Sequence, residues 1–78
     1  RMVKVPNDME TSVLTFVRTQ GEDSVFAVFN FTGVHRSVML GRGPQDGPWV
    51  DAIDGSPLRG REGMRIDLAA WGWRVFVR

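Results

Sequence analysis

Apolar and polar residues alternate along the chain in short runs, each closed by a turn. Val3-Lys4-Val5 alternates and stops at Pro6-Asn7-Asp8, where proline and Asx side chains favour a turn. Ser12 to Arg18 is rich in β-branched and aromatic residues, and the polar cluster Gln20-Gly21-Glu22-Asp23 follows it as a turn. Val25 to Phe31 is almost continuously apolar, which predicts a central strand covered on both faces. Thr32-Gly33 breaks that run. Arg36 to Leu40 alternates again, with Val38 and Leu40 on one face.

Gly41 to Pro48 holds three glycines and two prolines, a loop that neither helix nor sheet tolerates and that reads as a mobile surface loop. Trp49 to Ile53 predicts a short strand. Asp54-Gly55 after it is the dipeptide of tight hairpin turns. Ser56 to Arg59 suits a sheet edge, where Pro57 lacks an N–H at no cost. Met64, Ile66 and Leu68 alternate with Arg65 and Asp67 and are expected inward. Ala69-Ala70-Trp71-Gly72 turns the chain, and Trp73 to Arg78 predicts a last strand with Trp73, Val75 and Val77 toward the core.

No helical period extends beyond a turn. The expected fold is therefore all-β: a small antiparallel β-sandwich of seven or eight short strands, Greek-key-like, with turn signals at sandwich spacing. Hairpins fit the spacing, because parallel strands need long crossovers. No linker or repeat divides residues 1–78, so one domain is expected. Because the chain opens at Arg1 without an initiator Met, it reads as a piece of something longer.

Composition narrows the function classes. Ten Lys and Arg against nine Asp and Glu leave a net charge of +1, so the electrostatic footprint of a nucleic-acid binder is missing. No apolar stretch approaches the ~20 residues of a membrane span. No charged n-region precedes an apolar h-region, and the cytoplasm is the favoured compartment. The absence of cysteine removes disulfides and thiolate metal sites.

The chemistry-bearing residues are few. Asp51 and Asp54, three apart across a strand end and a turn, are the candidate glycosidase pair. Asp54-Gly55 has a sufficient turn explanation, and no cleft-forming scaffold surrounds the two. His35 is the single histidine, expected in a solvated turn, with no second ligand beside it. The Asp residues lack calcium-loop spacing, and no metal or cofactor is expected. Ser12, Ser24, Ser37 and Ser56 lack a nucleophile-elbow context. Gly41-Arg42-Gly43 lacks the helix and lysine of a phosphate loop. Asn30-Phe31-Thr32 matches a glycosylation acceptor, but Asn30 and Thr32 are expected to bond the backbone of the following turn. Arg59, Arg61, Arg65, Arg74 and Arg78 form at most a mild basic cluster, with Arg65 and Arg74 read as outward and solvated.

The tryptophans matter most. Trp73 reads as core. Trp71, in a turn, and Trp49, at a loop exit, are the candidates for partial exposure, and so for a domain–domain contact or a sugar platform.

The order of pieces is distinctive: Val13 to Arg18, an apolar strand closing on Asn30-Phe31-Thr32, Arg36 to Leu40, Trp49 to Gly55, Met64 to Leu68, and Trp71 to Val77. It resembles the C-terminal β-sandwich that follows the catalytic barrel in α-amylases, amylosucrases, trehalose synthases and related α-glucan enzymes. The resemblance covers nearly the whole chain from Val3. It implies a non-catalytic accessory domain that packs on and stabilises a (β/α)8 barrel of the same parent chain, with α-glucan or oligosaccharide as a further contact. The family's catalytic carboxylates lie on that barrel, so no catalytic residue carries over. The alternatives are a stand-alone carbohydrate-binding module using Trp49 or Trp71 and a small nucleic-acid-binding barrel.

Overall fold

The computed structural model describes residues 1–78 and contains no helix. Eight strands form it: β1 (Met2–Lys4), β2 (Val13–Gln20), β3 (Asp23–Asn30), β4 (Arg36–Met39), β5 (Gly47–Asp51), β6 (Pro57–Gly60), β7 (Arg65–Leu68) and β8 (Trp73–Val77). All pairings are antiparallel. A six-stranded sheet runs β1-β2-β3-β8-β5-β6, and β4 and β7 pair alone as a second sheet. The chain leaves the large sheet after β3 for β4, returns as β5 and β6, leaves again for β7, and returns to place β8 between β3 and β5, a non-sequential return of the Greek-key kind. The fold class is the antiparallel sandwich expected from the pattern.

Register decides which side chains meet. Val17, Phe26 and Phe76 are partners across β2, β3 and β8, and all three are buried. Val13, Val28 and Trp49 share that inner face. The small sheet covers it with Val38 from β4 and Ile66 and Leu68 from β7, flanked by Leu40 and Met64. The alternation at Val38/Leu40 and Met64/Ile66/Leu68 is therefore the inward one. Val5 reaches the same core just beyond β1. Each fully buried apolar side chain of this size stabilises the fold by about 1.5–3 kcal/mol. Phe26 lies at the centre, its ring 5.5 Å from both Phe76 and Trp49.

Four connections carry the chain between the two sheets, and two buried carboxamides hold them. Asn30, at the end of β3, donates from Nδ2 to the carbonyls of Val34 and Ala69, both at 2.9 Å. Its Oδ1 accepts the Thr32 N–H at 3.0 Å and the Thr32 hydroxyl at 2.7 Å. One side chain thus ties the β3–β4 connection to the β7–β8 connection. Gln45 does the same for the other two connections. It is fully buried, and its Nε2 donates to Gly41 O at 2.8 Å and Arg61 O at 3.3 Å. The Gln45 carbonyl accepts Trp49 Nε1–H at 2.7 Å. Gly60 lets its backbone pass against that carbonyl, where any Cβ would overlap it.

The loop before β5 is accordingly anchored rather than loose. Besides Gln45, Arg78 donates to Asp46 O at 2.7 Å, and its guanidinium lies 3.9 Å above the Trp49 ring. That cation–π contact is favourable on a desolvated ring. The expected strand at Trp49–Ile53 begins earlier, at Gly47, and ends at Asp51.

Substituting Asn30→Ala removes a buried side chain together with its donations to Val34 and Ala69 and its acceptor for Thr32. A loss of about 2–4 kcal/mol is expected in urea unfolding of the 78-residue chain. A loss under about 1 kcal/mol would mean that the crossovers hold without the amide.

Candidate interaction surface

The carboxylates of Asp51 and Asp54 and the Asn30 amide are engaged in the architecture. Asp51, 8% exposed, closes its own turn: Oδ1 accepts the N–H of Ile53 at 2.8 Å and of Asp54 at 3.1 Å. Its other oxygen meets Arg74 at 3.3 Å. Asp54 accepts the Ser56 hydroxyl at 2.7 Å and the Ser56 N–H at 2.9 Å, and Gly55 supplies the positive φ of 76° that the turn requires. These bonds hold both carboxyls below the ordinary value of 3.8. For Asp51 the Ile53 and Asp54 amides lead, with Arg74 adding; for Asp54 the Ser56 hydroxyl leads. Neither carboxyl lines a cleft.

Asn30 is 2% exposed, and both of its amide hydrogens are donated inward, so the folded chain offers no glycosylation acceptor there. His35 is exposed in the β3–β4 turn. No group of three or more His, Asp or Glu converges as a metal site. The arginines form no common stripe. Arg74, expected outward, instead faces the inner layer, pairing with Asp51 and lying 5.0 Å from the Phe76 ring.

The tryptophans correct the sequence expectation in two places. Trp49 is 2% exposed, between Phe26 and the Arg78 guanidinium, so it presents no platform. Trp73, expected in the core, is 51% exposed. The cause is register: Phe76 pairs with Phe26 and points inward, so the other parity of β8, Trp73, Val75 and Val77, points out. Trp71 is 67% exposed in the β7–β8 turn. Its indole lies beside Gly33, whose hypothetical Cβ would meet Nε1 at 3.5 Å. Its backbone is left-handed, φ 56°, held by its N–H on Thr32 O at 2.8 Å.

The outer face of the six-stranded sheet is the larger feature. Leu14, Phe29 and Trp73 are partners across β2, β3 and β8, and Phe16, Ala27 and Val75 form the next row. Phe16, Phe29 and Phe31 stack in a ladder, with 6.2 Å between successive ring centroids. None of these residues belongs to the inner core cluster. Val25 and Phe29 are only half-buried, so β3 is not covered on both faces by this chain. The outward parity of Leu14 and Phe16 on β2 was the available sequence signal. A strand apolar on both parities has two covered faces somewhere.

A shallow groove of about 380 Å³ is lined by Pro6, Asp8, Met39, Leu40, Gly41 and Glu62 among others. Asp8 Oδ1 is already engaged there by the Met39 N–H at 2.9 Å.

Comparison with known proteins agrees with this architecture. The family model described as the alpha amylase C-terminal all-beta domain matches residues 5–70. Among the curated proteins none matches the chain.

A carboxyl with a depressed folded pKa adds stability above its unfolded value, and that stability is lost as pH falls through the folded value. For Asp51 and Asp54 the window therefore opens below 3.8. Asp51→Asn, which keeps an acceptor for the turn amides, is expected to flatten the acid limb of a stability-versus-pH curve. An unchanged acid limb would place its origin in other groups.

Proposed function

Because this chain belongs to the family of the α-amylase C-terminal all-β domain, we propose that it serves a glycoside hydrolase or glucosyltransferase acting on α-glucans or oligosaccharides. In this reading it is a non-catalytic accessory domain that packs on and stabilises a catalytic (β/α)8 barrel of the same parent chain. The family match over residues 5–70 carries the reading. The polar inventory supports it: Asp51, Asp54, Asn30 and Gln45 are spent on turns and crossovers. A domain built this way adds buried surface to its neighbour without contributing a reacting group.

A second reading concerns sugar contact and rests on Trp71 alone. Its ring is 67% exposed and seated beside a glycine, the arrangement that leaves an indole face free for a sugar ring. Trp49 has no part in it, because its faces are occupied.

The purified 78 residues are expected to show no turnover of starch, sucrose or trehalose, and deleting them from the parent is expected to lower its melting temperature. Turnover by the isolated chain, or an unchanged melting temperature on deletion, would sink the accessory reading. Titration of tryptophan fluorescence with maltooligosaccharides tests the second reading. It requires a saturable change that Trp71→Ala abolishes, and a flat titration removes it.

A further inference from the structure

A sheet that is apolar on both faces needs a layer on each side. The inner face of the six-stranded sheet has one, the β4–β7 pair. The outer face has none from this chain. Its centre, Leu14, Phe16, Phe29, Trp73 and Val75, holds no charged side chain, and Phe31 extends it at 59% exposure. Ala27 supplies a low point between its cross-strand partners Phe16 and Val75.

Polar residues gather at the margins of the same face. Lys4 lies at the β1 edge, already paired with Glu10 at 3.8 Å. Arg18, Gln20 and Asp23 lie with Val25 around a shallow groove at the β2–β3 hairpin end. An aromatic centre free of charge with a polar rim is the anatomy of a protein interface rather than of a solvated surface. The domain measures 35 × 25 × 20 Å, and its broad side is wide enough for the ~800 Å² per partner of a standard interface.

We infer that this face, centred on Phe29, Phe31 and Trp73, is where the catalytic domain of the parent chain docks. The inference rests on the accessory-domain reading above. The occupant follows from two observations. The family is by description a C-terminal domain of a larger enzyme. The missing layer on a sheet is most simply supplied by helices, and a (β/α)8 barrel presents a ring of helices on its outside. Ridges of those helices would lie across the aromatic ladder, and Arg18, Gln20 and Asp23 would set the rim contacts. The small sheet, with Arg65 and Asp67 pointing out from β7, stays in solvent.

These 78 residues hold no cysteine, so a thiol introduced among them is unique to its peptide when the parent enzyme is labelled and digested. Single cysteines are introduced as Phe31→Cys, Trp73→Cys and, on the small sheet, Arg65→Cys. Maleimide labelling of each site is followed by mass, and retained turnover certifies the fold. Cysteines at positions 31 and 73 are expected to react at least tenfold more slowly than at 65 in the native parent, and equally fast in denaturant. Hydroxyl-radical footprinting of the unsubstituted parent gives the same readout without variants: Phe31 and Trp73 protected, Met39 on β4 modified.

Equal native rates overturn the docking face. So does protection of position 65 alone, which would place the partner on the small sheet. Protection that disappears on dilution also overturns it, because a second copy would then be the occupant. Any of these results, together with a lower melting temperature on domain deletion, leaves the accessory reading standing. An unchanged melting temperature on deletion removes that reading and this inference with it.

Discussion

The architecture depends on keeping a two-stranded sheet fixed over a six-stranded one, and two buried carboxamides impose that constraint. The small sheet has only the β4–β7 ladder of its own. Val38, Ile66 and Leu68 pack it on the inner face and Asp8 bonds Met39, while its ends are fixed through the connections. Asn30 bonds both connections at one end, and Gln45 bonds both at the other. A carboxamide suits the task, because its NH₂ donates twice and can join two carbonyls from distant segments. Both are buried, where such bonds are electrostatically strong and costly to leave unmade. Gln45 Oε1 is the exception, lying near Gly43 with no hydrogen-bond partner.

Around Gln45 the same logic recruits neighbours. Its backbone carbonyl fixes the Trp49 indole, and the indole gives Arg78 a surface to lie on. Arg78 in turn holds the carbonyl of Asp46. The final residue of the chain thereby secures a loop formed more than thirty positions earlier. The Gly and Pro content of that loop permits close backbone passage, most visibly at Gly60 beneath the Gln45 carbonyl.

The division of polar residues bears on function. Asp51 and Arg74 form a pair at the edge of the inner layer, and Asp51 also terminates β5 by accepting two amides. A carboxylate so engaged stabilises a strand end and is not poised to move a proton. The apolar surface left uncovered is the aromatic ladder on the outer sheet face and the exposed Trp71. Unmet demand for apolar cover points to a neighbouring domain far more directly than to a substrate.

Short-range chemistry in the sequence determined the strands and turns, because strand period and turn residues are local properties. Val38 with Leu40, and Met64 with Ile66 and Leu68, face the core as their alternation with polar neighbours requires. Asp54-Gly55 turns because glycine alone adopts the needed φ without strain. Tertiary structure decided which parity of an apolar strand faces inward. β8 offers Trp73, Val75 and Val77 on one side and Arg74, Phe76 and Arg78 on the other, and hydrophobicity favours the first set. Pairing with β3 at Phe26–Phe76 selects the second, and the arginines are accommodated by Asp51 and by the Phe76 and Trp49 rings. Burial of Trp49 has the same origin, since its pocket consists of Phe26, Arg78 and the Gln45 carbonyl. Phe26 and Arg78 lie far from Trp49 in sequence, and no local pattern encodes a register shared between distant strands.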